Sequence, residues 1–479
     1  MKLAKKQVSE SSRREQIIPS DEKATLNGSP ISNTGSDLSQ DDAMGALLSD
    51  ESEDDEEGGL SHSVNSEVRH APLLSANLVD LVPQYGLMGT YETERIFLNT
   101  NIPFSAFICG VQGSGKSHTT ATILENALIP SKQLGKLKSP LSALVFSYGQ
   151  FGGDGSGFSV SEAAFLAAPH PKFPGHPHVK KVHVLVSPSN YVKISRLYLR
   201  ISNVLVTKFK LKPHKLDIEV MLTLMNVSDS DDTPLYMAAV TQLLRQMATE
   251  GGSFNYFDFR SRLRKCSFNP SQVNMLQMRL GLLESFLDLD NSCPEPQFRE
   301  GEVTIMDMSC PFVDANTACI LFKIGLQRYL QSKAAGKMVV LDEAHKYMLP
   351  NPGAKALNET LLTTIRLQRH YGARILISTQ EPTLLTDLIA LCSITFIHRF
   401  SSPEWFAAIK RHIPMRADEQ HEVMKAIESL KTGTALVYSP NAALGRNEAG
   451  RLVKGTGRLM KMSVRKRVTS DGGQSVLAV

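Results

Sequence analysis

Residues 110–117 read Gly-Val-Gln-Gly-Ser-Gly-Lys-Ser, the spacing G-x-x-x-x-G-K-S that builds a phosphate-binding loop. A loop that wraps a triphosphate must bring backbone N–H groups to the oxygens, and glycines allow both the tight turn and the close approach. Gly110, Gly113 and Gly115 supply that freedom, with Ser114 between the last two. Lys116 can reach the β- and γ-phosphates, Ser117 can offer its hydroxyl to Mg²⁺, and a helix starting at the lysine and continuing through His118 aims its positive end at the same charge. The apolar run Phe104 to Cys109 fits the strand that must precede such a loop.

Hydrolysis needs a carboxylate for Mg²⁺ and a base for water. The run Met338-Val-Val-Leu ends in Asp342-Glu343, so a strand delivers both acids to its carboxyl end, where open α/β sheets bind their ligands. Asp342 is the expected metal-side carboxylate and Glu343 the expected general base. The run Arg374 to Thr379 ends in Gln380, whose amide can donate and accept at once beside a γ-phosphate. Thr379 is a second candidate there, and both residues also suit a plain strand end. Arg366 and Arg369 stand three apart on an expected helix and thus on one face. Two readings stand for them, charge stabilisation of the transferring phosphate and ordinary surface arginines.

These groups need a scaffold. Strand-like segments fall at 104–109, 142–147, 182–186, 303–308, 338–342, 374–379, 394–399, 434–438 and 459–464, mostly short, apolar and suited to burial on both faces. Helical patterns lie between them, from Thr233-Pro234 to the stop at Gly251-Gly252, and at about 272–288, 315–333, 355–370 and 418–430. Alternation of the two implies an α/β fold, a mainly parallel sheet with helices on both faces. Residues 148–180, rich in Gly, Pro and His, read as a long surface loop, and about 205–295 as a helical insertion.

The ordered set FICGVQGSGKS, GEVTIMDMS (301–309), KMVVLDEAHKYM (337–348), IRLQRHYGARILISTQEP (365–382) and GTALVYSP (433–440) resembles the HerA/FtsK group of P-loop ATPases, and within it the HerA-like DNA translocase branch. The resemblance covers about residues 85–470 in the same order. It implies a RecA-like core that binds ATP and Mg²⁺, assembles as a hexameric ring and pumps DNA. Lys116, Ser117, Asp342, Glu343 and Gln380 fall on the group's catalytic positions. Arg366 and Arg369 match its arginine pair, which reaches a neighbouring subunit's nucleotide. HerA-like proteins often act with a nuclease partner. Three departures stand out: about 35 residues before Phe104 leave no space for the usual N-terminal β-barrel, Glu381 replaces a common basic residue, and the acidic N-terminus is foreign to the pattern and more eukaryotic in character. A remodeller of protein partners and a nucleotide-dependent switch are the alternatives.

The tetrad Asp342-Glu-Ala-His345 also occurs in RNA helicases of the DEAH type. Those need a second RecA-like lobe, whereas only 137 residues follow Asp342. His345 either couples Glu343 to motion or packs.

Composition sets the remaining bounds. Residues 1–70 carry seven Lys/Arg against fifteen Asp/Glu and few aromatics, which predicts a disordered acidic tail. Residues 71–479 carry 45 against 33, a basic balance suited to a polyanion. Within 71–470, the ATPase domain, basic residues crowd at Lys208, Lys210, Lys212, His214 and Lys215, and at Arg458, Lys461, Arg465, Lys466 and Arg467. Either cluster suits nucleic-acid phosphates or a solvated surface, and Arg465-Lys-Arg467 also matches a nuclear import signal. Residues 471–479 read as a flexible terminus. Six scattered cysteines, no apolar run near the ~18 residues of a membrane span and no signal peptide predict a soluble intracellular protein, cytoplasmic or nuclear, with no membrane partner.

Overall fold

A computed structural model of the chain describes residues 65–149, 160–216, 221, 235–251 and 254–472. Residues 1–64, most of the acidic segment, lie outside these, as do 473–479. Residues 65–70, placed in the tail by composition, are helical instead. Val68 anchors them, fully buried in a small core with Leu74, Leu78 and Ala443.

Sixteen strands form one sheet among the described residues. In chain order they are β1 (Leu73–Ser75), β2 (Tyr85–Tyr91), β3 (Glu94–Leu98), β4 (Ser105–Cys109), β5 (Gly135–Lys136), β6 (Ser142–Ser147), β7 (Val182–Val186), β8 (Val204–Lys208), β9 (Val303–Asp307), β10 (Lys337–Leu341), β11 (Ala373–Thr379), β12 (Ile394–Ile397), β13 (Thr434–Tyr438), β14 (Ala443–Arg446), β15 (Leu452–Lys454) and β16 (Met460–Val464). Eight neighbours, in the order β12-β4-β11-β10-β6-β9-β7-β8, are parallel throughout. The phosphate-loop strand β4 and the acid-bearing strand β10 are therefore separated by one strand, β11, which ends at Thr379, just before Gln380.

Each central strand is apolar on both faces because both are covered. Along β4, Phe107 and Cys109 face one core while Ala106 and Ile108 face the other. The second core rests on α1 (Lys116–Leu128) and on α2 (Tyr191–Tyr198). The first carries the larger helical layer: α3 (Leu235–Glu250), α4 (Tyr256–Arg264), α5 (Pro270–Phe286), α6 (Ala315–Leu330) and α7 (Pro352–Arg366). Local chemistry sets the starts of these helices. Asn269 forms a capping box with Gln272 ahead of Pro270, Asp314 caps α6 by accepting from Thr317 N, and Asn351 caps α7 ahead of Pro352.

The structure corrects four expectations. The insertion boundary at 205 cuts through β8, which pairs with β7 from Val182↔Val204 to Val186↔Lys208, because Val206 is buried at the sheet edge. Part of the surface loop, Glu162–Ala167, is a 3₁₀ helix with Ala163, Ala164 and Leu166 buried, whereas 150–159 lie outside the described residues. The residues before Phe104 form β1 to β3, which join β13 to β16 from the other end of the chain in an extension of the same sheet that is antiparallel except where β1 runs parallel to β14. The expected helix 355–370 is interrupted at Leu367, whose φ of −100° and ψ of 16° separate α7 from the short α8 (Gln368–Tyr371). Among the described residues no helix is long and apolar enough to cross a membrane. All six cysteines are free.

Candidate nucleotide site

The loop between β4 and α1 has the conformation its glycines permit. Gly110, Gly113 and Gly115 have φ of 150°, 72° and 114°, values that side-chain-bearing residues rarely adopt. Ser114 is buried, and both its hydroxyl and its N–H donate to Val111 O, at 2.7 and 3.2 Å, so this residue braces the loop from within. The N–H groups of Lys116, Ser117 and His118 occupy the first turn of α1, where helix geometry offers them no internal acceptor. The ring of His118 points elsewhere, with Nε2 2.7 Å from Arg465 O. Only its backbone is left for a phosphate.

Lys116 is buried, and its ammonium lies 3.2 Å from Val111 O and 3.8 Å from Glu343 Oε1, spanning the gap left by β11. Burial lowers its pKa, and the charges of Glu343 and Asp342 oppose that shift. Glu343 has φ of 48°, a left-handed turn that costs a non-glycine residue energy and recurs where geometry serves function. That turn ends the strand and swings the carboxylate toward Gln380, whose Nε2 donates to Glu343 Oε2 at 2.7 Å. His345 supports the pair: its Nδ1 accepts from Gln380 N at 3.3 Å, and its Nε2 lies 3.6 Å from Glu343 Oε2. Lys346 adds a second cation at 3.8 Å. Thr379 is spent on the strand end, its hydroxyl donating to Glu381 O at 3.2 Å.

Ser117 and Asp342 line one small cleft together with Thr120 and Glu162. Burial, then the charge of Glu343, pushes the Asp342 carboxyl up to about 7. No hydrogen-bond donor among the described residues reaches that carboxylate. A hydroxyl beside a half-buried carboxylate without a donor fits a hard cation that takes one or two protein oxygens and completes its shell with phosphate and water. No group of three or more His, Cys, Asp or Glu that could hold a metal occurs among the described residues.

The arginine pair is placed differently from the other candidates. Arg366 and Arg369 are exposed, and Arg369 lines a cleft with Gly336, Gly372 and Arg374, where β10 and β11 begin. The phosphate loop lies at the opposite end of β11, whose seven residues span about 23 Å. Neither arginine reaches the loop of its own chain, and the break at Leu367 removes the shared helix face.

Much of the basic character is internal. Arg465 and Glu125 form a buried ion pair at 2.7 Å, and Arg467 pairs with Glu162 at 3.4 Å and Asp471 at 3.5 Å. Lys210 donates to Leu287 O at 2.8 Å, and Lys212 to Asp288 and Asn291 at 2.5 Å each. Lys208, His214, Arg458, Lys461 and Lys466 remain exposed. Sequence reasoning missed His398, Thr432 and Gly433, which meet the loop from the side of β12 and β13. The one signal was at His398, a polar residue closing the apolar strand β12, whereas Thr432 and Gly433 lie ahead of β13.

No family model and no curated protein matches the chain. Among solved structures it is similar to VirB4 of Thermoanaerobacter pseudethanolicus, with 12% identity and a TM-score of 0.45 over 80% of this chain and 96% of that one. It is also similar to the plasmid coupling protein TrwB in complex with GDPNP, at 13% identity and TM-score 0.38 over 78% and 91%. A third is the genome packaging NTPase B204 from Sulfolobus turreted icosahedral virus 2 in complex with AMPPCP, at 9% identity and TM-score 0.27 over 75% and 97%. These likenesses are distant, and the weight rests on the chain itself: its parallel strand order, with Lys116, Asp342, Glu343 and Gln380 gathered at the carboxyl ends, is that of the RecA-like P-loop fold which the HerA/FtsK resemblance implies.

Proposed function

We propose that the chain is an ATP-hydrolysing motor of the HerA/FtsK type that moves DNA as a ring, a hexamer by resemblance, with a nuclease or another protein as an accessory partner. The observation that supports hydrolysis most is the junction of Lys116, Glu343 and Gln380 across three adjacent strands. In this reading the loop backbone and Lys116 bind the phosphates, Gly110, Gly113, Gly115 and His118 contributing through the main chain and Ser114 by bracing the loop. Glu343 takes the proton of the attacking water, and Gln380 orients that carboxylate. Ser117 and Asp342 would hold Mg²⁺, which when bound neutralises charge on the phosphates. Arg366 and Arg369, remote from their own loop and free on the surface, suit a neighbouring subunit's nucleotide.

The internal engagement of Arg465, Arg467, Lys210 and Lys212 removes much of the charge argument for DNA and favours the second reading, an ATPase that remodels a protein. Six free cysteines support a reducing compartment, cytoplasmic or nuclear. The experiment is the ATPase rate against duplex DNA, single-stranded DNA and RNA over a range of salt. Stimulation by DNA that fades as salt rises supports the translocase. A basal rate that no nucleic acid alters at low salt refutes it in favour of a protein-directed motor.

A further inference from the structure

The imidazole of His398 is fully buried behind the phosphate loop. It follows β12, and its backbone N–H donates to Cys109 O at 2.8 Å, tying it to the last residue before the loop. A Cβ built on Gly110 would stand 2.7 Å from His398 Cβ, and one on Gly115 would stand 3.3 Å from His398 Cε1. His398 therefore lies against both ends of the loop, with its Cβ at Gly110 and its ring at Gly115.

Both ring nitrogens are engaged. Nδ1 is 3.2 Å from Thr434 O and Nε2 is 2.9 Å from Thr119 Oγ1. A carbonyl only accepts, so Nδ1 carries the proton, and Nε2 accepts from the Thr119 hydroxyl. Thr119 lies in the first turn of α1, three residues after Lys116. Thr434 opens β13, and the two residues before it grip the loop: Thr432 Oγ1 donates to Gly113 O at 3.4 Å, and Gly433 N to Ser114 O at 3.5 Å. One neutral ring thus ties the helix bearing Lys116 and Ser117 to the segment that holds the apex of the loop.

A loop that binds through backbone N–H groups gains affinity when they converge before the ligand arrives, since ordering them afterwards consumes binding energy. We propose that His398 is a positioning residue: by bridging Thr119 and Thr434 it holds the phosphate loop in the shape that receives a nucleotide's phosphates. This rests on the nucleotide-binding reading of the loop.

The test measures affinity for a fluorescent ATP analogue, turnover at saturating ATP, and amide hydrogen exchange without nucleotide. His398→Leu should weaken binding about 10- to 100-fold, with turnover at saturation within about threefold of wild type, because both bridging hydrogen bonds are lost while the volume stays filled. His398→Asn, which keeps a donor near Nδ1, should recover part of the affinity. Exchange over residues 110–119 should accelerate about tenfold or more in His398→Leu and stay unchanged in β9. Thr119→Val, a milder change that removes only the hydroxyl bonded to Nε2, should move binding and exchange in the same direction, and serves if His398→Leu fails to fold. Wild-type affinity in the folded variants, or lost affinity with unchanged exchange over 110–119, would overturn the proposal. If wild type binds the nucleotide without hydrolysing it, the motor reading fails while affinity and exchange still decide this one; if wild type binds none, both fail.

Discussion

Replacing Arg465 with methionine asks whether the basic run near the carboxyl end is structural or a nucleic-acid face. The guanidinium donates to Glu125 Oε2 at 2.7 Å, to Leu87 O at 2.7 Å, to Asn126 Oδ1 at 2.9 Å and to Lys466 O at 2.9 Å. Its partner is wholly inaccessible to solvent. Without the arginine, Glu125 keeps three donors on Oε1, from Val468 N at 3.0 Å, Thr469 N at 2.9 Å and Thr469 Oγ1 at 2.6 Å, while Oε2 is left with none. Removing one partner of a buried ion pair costs about 3–5 kcal/mol, and the surviving donors favour the lower end. A cost of about 3 kcal/mol raises the population of locally open chain by about two orders of magnitude. Hydrogen exchange at Val468 and Thr469, whose N–H groups bond Glu125, reads that opening directly. Lys466→Met is the control, since its side chain is exposed and should change stability by no more than about 0.5 kcal/mol. Equal protection in the two variants, with nucleic-acid binding lost only in Arg465→Met, would refute the structural reading of Arg465.

Three further outcomes are expected. Lys116→Ala should weaken nucleotide binding by about 100-fold or more, since no other buried ammonium faces the loop among the described residues; titration calorimetry checks this. Gln380→Ala removes the amide that holds Glu343 Oε2, so kcat should fall about 10- to 100-fold while nucleotide affinity stays within about twofold, in steady-state and binding assays. Burial pushes the His398 pKa down to about 3, so the unfolded chain binds more protons than the folded one between pH 6.5 and 3. Stability is thus fully present above pH 6.5 and falls on acidification, with about 1.4 kcal/mol per pH unit due to this ring. Denaturation of wild type and His398→Asn at pH 6.5 and 5 should show a shallower slope in the variant, and equal slopes would contradict a buried neutral ring.

The parallel half of the sheet was legible because its strands are apolar on both faces. Runs such as Met338 to Leu341 need no knowledge of partners to be read. The acids and amide at their ends were legible for the same reason, since a polar residue closing a buried strand has few places to go. The other half was legible only in part: the runs 434–438 and 459–464 match β13 and β16, whereas β1 to β3 escaped notice, because β2 and β3 mix exposed residues with buried ones and their pairing depends on strands more than 300 residues away, as in Leu74↔Ala443. Charge type hid the role of Arg465, whose partner Glu125 lies 340 positions earlier. Spacing alone placed Arg366 and Arg369 on one helix face, which the turn at Leu367 breaks. His398 gave only the sign of a polar residue closing an apolar strand, because its importance comes from what packs around it.

The most direct measurement is steady-state phosphate release from ATP with Mg²⁺, made on wild type and Glu343→Gln alongside nucleotide binding by each. The account predicts that wild type turns over and that Glu343→Gln binds with affinity within a few fold of wild type yet loses at least about 100-fold in rate, because the group that takes the water's proton is gone while the phosphate loop is intact. Hydrolysis by Glu343→Gln at the wild-type rate, or no phosphate release by wild type under any condition that supports binding, would contradict it.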